Sequence, residues 1–181
     1  MKITDHTDSG HREAKVLTGL VVSGTVLGHV AGRWNGKLFA SDVSNLIAGW
    51  AVDHYRKHGK APKKVIGDYL EAWEERNGSP ARADLVRQQL SGMSEAFSRN
   101  GKFNAEHCLD MAREHFAAVG LRRLSETLSA ELDAGRTERA DAALASYCKV
   151  ELASDAGVDL LLDAGEMAST FDASSKPLLS Y

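Results

Sequence analysis

Cysteine is scarce in this sequence. Only Cys108 and Cys148 occur in 181 residues, both at positions expected on helical faces and without metal-ligand spacing. That argues against a disulfide framework and suits reduced thiols in a cytoplasm, neither placed as a nucleophile. Long apolar runs are missing too. The most apolar stretch, residues 16–30, is interrupted by Thr18, Gly19, Ser23, Gly24, Gly28 and His29, too polar and too short to cross a bilayer. Residues 1–11 are acidic and polar, which is not the pattern of a signal peptide. There is no excess of positive charge: a formal net charge of −3 and a pI near 6.2 argue against a protein that coats nucleic acid with its whole surface. Alternating strand patterns and internal repeats are also absent.

Nucleotide and catalytic motifs are missing as well. The nearest approach to a phosphate-binding P-loop, Gly32 to Leu38, has one residue too few and Leu38 where a magnesium-binding hydroxyl belongs. No dinucleotide fingerprint, nucleophile elbow or His-Glu-x-x-His helix occurs. His54 and His58 lie one helical turn apart without an acidic or thiol partner, so a metal site is not expected. His107, Cys108 and His115 read as packed or half-exposed side chains of a long helix. Glu71, Glu74 and Glu75 read as a solvated face rather than catalytic carboxylates. Neither catalysis nor a bound cofactor is expected from these residues.

What the sequence does have is helical periodicity. With 43% hydrophobic and 26% charged residues it can bury one sizeable core, as a single domain or a domain with an appendage. The spacing predicts a helix over residues 42–58, capped by Ser41 and ended by Gly59, with Val43, Leu46, Ile47, Trp50, Ala51, His54 and Tyr55 on one face. Helical segments at 13–30, broken near Ser23 and Gly24, precede it, and Trp34, Leu38 and Phe39 are expected to tuck onto the core from a loop. Val65, Ile66, Tyr69, Leu70 and Trp73 mark a further helix after Pro62. Leu85, Val86, Leu90, Met93 and Phe97 mark another to about Arg99.

The longest pattern begins at Asn104. Apolar positions recur through Cys108, Met111, His115, Phe116, Val119, Leu121, Leu124, Leu128 and Leu132, about eight turns, and at 1.5 Å per residue this helix would be roughly 45 Å long. Gly135 is expected to end it and Thr137 to cap a short return helix carrying Ala140, Ala143, Leu144 and Tyr147. The predicted fold is therefore all-α. It divides into a globular multi-helix head (residues 1–100), an antiparallel helical hairpin (101–149) and a short linker or tail (150–181). One short helix gives little cover to the long one, so Leu121, Leu124, Leu128, Leu132, Leu144 and Tyr147 form a candidate oligomer interface.

A second candidate surface is basic. Arg56, Lys57, Lys60, Lys63 and Lys64 cluster where one helix ends and the next begins, a nucleic-acid contact in a helix-turn-helix reading. Cations are also favoured at a helix C-terminus by its dipole, and that solvated junction is the weightier of the two readings.

The run Leu38-Phe39-Ala40-Ser41, then Leu46-Ile47-Ala48 and Trp50, then His54-Tyr55-Arg56-Lys57-His58-Gly59-Lys60-Ala61-Pro62, resembles the N-terminal domain of DnaB-like replicative helicases of phage and plasmid type. The long helix, the Asp133-Ala134-Gly135 turn and the helix to Tyr147 resemble that domain's hairpin. Val150-Glu151-Leu152 with Gly157-Val158-Asp159 resembles the segment leading to a RecA-type motor, whose Walker motifs are not among these residues. The resemblance implies a non-catalytic scaffold that assembles with itself into a dimer or ring. It also implies a docking place for primase or a helicase loader, with DNA touched weakly or through a motor domain, and no membrane. The alternative is a DNA-binding regulator using residues 56–64.

Overall fold

The computed structural model describes residues 5–77, 79–100, 103–150 and 152. Among them the chain is all-α, with seven α-helices and a single 3-10 turn. Helix α1 (Asp5–Val22) ends against Ser23, whose hydroxyl accepts from the Val26 N–H at 3.3 Å and so starts α2 (Gly24–Ala31). The axis turns by 102° at this break, which lets both helices bury their apolar sides in one core. Among the described residues no single helix is long and apolar enough to cross a membrane. Apolar periodicity is visible in the sequence only from Glu13, whereas α1 begins eight residues earlier, in a polar stretch that carries no periodic signal.

Helix α3 (Asp42–His58) has the bounds and caps that its sequence implies. The Ser41 hydroxyl accepts from Val43 and Ser44, and Gly59, at φ 66°, closes the far end with its N–H on the Tyr55 carbonyl at 2.7 Å. Ile47, Ala48, Ala51 and Val52 are fully buried against Val16, Leu17 and Leu20 of α1 and Val26, Leu27 and Val30 of α2. After the 3-10 turn Lys63–Val65, α4 (Ile66–Asn77) and α5 (Pro80–Asn100) fold over α3. Trp50 and Trp73 meet at 6.2 Å between ring centres, and Arg87 ties Glu74 of α4 to Asp84 of α5. Three expected core positions are corrected here, Leu85, Val65 and Phe97, the last 43% exposed near the end of α5. Leu85 is 55% exposed, because α5 turns the line Ala83, Val86, Leu90 and Met93 inward, and Val65 is exposed because it belongs to the 3-10 turn.

Helix α6 (Ala105–Asp133) is continuous over 29 residues, and the Asn104 side chain caps it by accepting from the His107 N–H. Its first half carries Cys108, Leu109, Ala112 and Phe116 into the same core as α1, α2 and α3. A boundary at residue 100 therefore falls within one packed unit. The projecting part begins beyond Phe116, the last residue that α6 contributes to that core. Helix α7 (Thr137–Ser146) runs back along α6 and brings Tyr147 against Gly120. The turn between them satisfies α6's last carbonyls twice: the Arg136 N–H donates to Glu131 at 2.8 Å and the Gly135 N–H to Leu132 at 2.9 Å, with Gly135 at φ 70°. Arg136, not Thr137, occupies the cap position of α7, and it caps with no side-chain bond. Beyond the hairpin Val150 and Leu152 return to the head core; the rest of the expected tail lies outside the described residues.

One loop is buried in an unusual way. Leu38 and Phe39, between α2 and α3, are 3% and 0% exposed, which obliges the backbone around them to find partners away from water. Three side chains supply them. Asn45 accepts from the Phe39 N–H at 2.9 Å and donates to its carbonyl at 2.8 Å; Glu13 accepts from the Ala40 and Ser41 N–H groups, both at 3.3 Å; and Arg123 donates to the Lys37 and Phe39 carbonyls. The loop thus links α1, α3 and the start of the projecting part of α6.

Candidate interaction surfaces

The hairpin's apolar stripe is only partly covered. Ala140 of α7 is buried against α6, and Leu124, Leu128 and Tyr147 are half-buried. Leu121 and Leu132 are each 55% exposed and Leu144 is 56% exposed. Eleven residues separate Leu121 from Leu132, about three turns, so the two lie within roughly 20° of each other around the helix axis. The six candidate interface residues therefore split into two sets. Half-buried Leu124, Leu128 and Tyr147 hold the hairpin together, while Leu121, Leu132 and Leu144 leave apolar surface facing water.

The five basic candidates split likewise. Arg56 donates to the Ala31 carbonyl at 3.0 Å and fastens the end of α3 to the end of α2. Lys57, Lys60, Lys63 and Lys64 are exposed and form no ion pair among the described residues. The helix next in the chain is unsuited to reading a groove. Helix α4 carries Asp68, Glu71, Glu74 and Glu75, and a duplex would repel it.

Two open depressions flank α1 and α6. One, about 310 Å³, is lined by Asp110 and Glu114 among others, but these carboxylates are held by Arg113 and Arg12, each at 2.7–2.8 Å. Among the described residues no group of three or more His, Cys, Asp or Glu side chains is placed to hold a metal. His54 is instead a packed residue, its Nδ1 3.2 Å from the Tyr69 hydroxyl and its ring 4.5 Å from that of His58.

The buried polar residue that sequence reasoning missed above all is Glu13. Glu13 is 7% exposed, and its Oε2 lies 3.6 Å from Nε2 of His115, which has no hydrogen-bond partner among the described residues. A signal existed: Glu13 stands at the i, i+3, i+4, i+7 spacing with Val16, Leu17 and Leu20, on the stripe that α1 buries.

Burial holds the His115 imidazole below the usual histidine range, against the opposing pull of Glu13. Burial does the same to His54, helped by the positive charge of His58, Lys60 and Lys57. Folded histidines with depressed values stay neutral while their unfolded counterparts take up protons, so stability is complete above the ordinary histidine pKa and is lost as pH falls below it. Thermal melts from pH 7 to pH 5.5 should therefore show a falling midpoint. His54→Gln/His115→Gln should flatten that dependence, and an unchanged slope in the variant would refute the assignment.

Comparison of the chain with protein-family models, with curated proteins and with solved structures finds no match.

Proposed function

We propose that the chain is a non-catalytic scaffold domain of the DnaB-like helicase type, which assembles with itself through the hairpin and offers the assembled surface to a primase or loader protein. The observation that carries this reading is the apolar surface left on the projecting hairpin, where Leu121, Leu132 and Leu144 are each more than half exposed. Large apolar side chains left in water on an otherwise charged appendage are surface that association would bury. The two carboxylates that line the depression between α1 and α6, Asp110 and Glu114, are ion-paired to Arg113 and Arg12.

Light scattering tests it. The wild-type chain is expected at a multiple of 19.6 kDa at tens of micromolar. Leu132→Asp/Leu144→Asp should return it to monomer mass, because each change removes about 1.5–3 kcal/mol of leucine burial and places an unpaired carboxylate in the contact. A weakening of at least about 100-fold is expected from such losses. All three tryptophans, Trp34, Trp50 and Trp73, sit in the head, so their fluorescence should stay native in the variant. A wild-type chain that is monomeric at roughly 200 µM, or a variant that keeps the wild-type mass, would sink the reading.

A further inference from the structure

We propose that the junction of α3 and α4 is a sequence-independent docking patch for the phosphodiester backbone of nucleic acid. The carriers are Lys57, Lys60, Lys63 and Lys64. This goes beyond the scaffold reading and does not depend on the hairpin.

Four of the chain's ten lysines stand within eight residues, and no acidic side chain occurs between Asp53 and Asp68. Many of the other cations are occupied: Arg12, Arg87, Arg99, Arg113 and Arg136 face carboxylates, and Arg56 and Arg123 bond backbone carbonyls. In a chain of net charge −3, the one dense group of lysines without ion pairs among the described residues lies on a single turn. Its field reaches inward, since Lys57 and Lys60 disfavour the charged form of buried His54.

The backbone of the turn is arranged at a cost. Among the described residues Lys63 is the one non-glycine residue with positive φ, at 52°, a conformation that is disfavoured for a residue bearing a side chain. Gly59 takes the same left-handed region at φ 66°. The two reversals bracket Lys60 and set it on the exposed turn between Lys57 and the pair Lys63 and Lys64.

The chemistry favours a phosphate backbone over a protein. Lysines are point charges that attract phosphates without the bidentate fork by which arginine reads guanine. No Asn or Gln stands between residues 54 and 67 to read a base edge. Protein interfaces centre on buried apolar or aromatic anchors, and beside these lysines the only exposed large hydrophobic residue is Val65. With α4 acidic, contact is confined to the turn, so affinity is modest, in the range of about 10⁻⁴ to 10⁻⁶ M typical of non-specific binding.

Fluorescence anisotropy with labelled single-stranded and duplex DNA of mixed sequence tests the proposal on the full chain. Binding is expected for both, with log K falling against log salt at a slope of about −3 to −4, from roughly 0.7–0.9 per phosphate contact. Replacing all four lysines by Gln should weaken binding at least tenfold at low salt and bring the slope near zero. The variant's melting midpoint should stay close to wild type, since substitutions at exposed positions change stability little. Absence of wild-type binding at about 50 mM salt, or an unchanged slope in the quadruple variant, overturns the proposal. So does a polyglutamate peptide of equal charge that binds more tightly than DNA, because the patch would then be a site for an acidic protein.

Discussion

Phe39→Ala is expected to lose about 3–5 kcal/mol of stability, against a total of about 5–15 kcal/mol for an ordinary domain. Phe39 is fully buried although it belongs to a loop, and its ring meets Phe116 edge-on at 5.3 Å and His115 at 5.7 Å. Removing the ring costs its transfer energy and leaves a cavity beneath Glu13, Asn45 and Arg123, which hold the backbone of residues 37–41 in place. Those bonds prevent the loop from collapsing into the hole, so the cavity term persists. Chemical denaturation should show a strongly lowered midpoint. Trp34→Ala, a half-buried position in the same loop, should cost clearly less. A loss below about 1 kcal/mol for Phe39→Ala would mean that the loop is not part of the core.

The second large effect is at Gly19. A Cβ built there would lie 2.3 Å from the Cys108 Sγ and 3.4 Å from the Phe103 ring, so α1 and α6 approach as closely as a glycine allows. Cys108 is fully packed, and burial pushes its thiol up to about 11, so at neutral pH it is a small apolar filler. In a helix, alanine normally gains about 0.5–1 kcal/mol over glycine. Here overpacking costs about 1–3 kcal/mol, and Gly19→Ala should be destabilising on balance. Cys108→Ala removes the atom in the way, so Gly19→Ala/Cys108→Ala should be more stable than the sum of the single losses by about 1–2 kcal/mol. Denaturation of the four proteins measures that coupling; strict additivity would refute the contact.

Much of this architecture is written in local patterns. Ser41, Gly59, Asn104 and Gly135 mark helix ends by chemistry that acts within a few residues, and the structure uses each one in that way. Tertiary context is what the pattern leaves out. Along α6 the repeat at Cys108, Ala112, Phe116 and Val119 reads like the repeat at Leu121, Leu124, Leu128 and Leu132. Yet α1, α2 and the Phe39 loop cover the first and only α7 partly covers the second. Leu85 misleads for a related reason, since neighbouring Val86 satisfies the same helical spacing and only the lean of α5 decides between them. Glu13 and His115 are illegible as partners because they are 102 positions apart, and no local spacing connects them. The basic turn is legible as a cluster; that Arg56 serves the fold while the four lysines do not is evident only from the Ala31 carbonyl.

Because α6 runs unbroken from Asn104's cap to Asp133, the hairpin is mounted on the head as a cantilever rather than on a hinge. Its free arm, the last thirteen or so residues, reaches roughly 20 Å beyond the core. Arg123 braces its root against the Phe39 loop, and Tyr147 lies against Gly120. Bending such an arm means breaking successive backbone hydrogen bonds, so a load applied at the Gly135 tip is delivered as torque to Phe116 and Phe39. Whatever grips Leu132 and Leu144 thereby sets the orientation of the entire head.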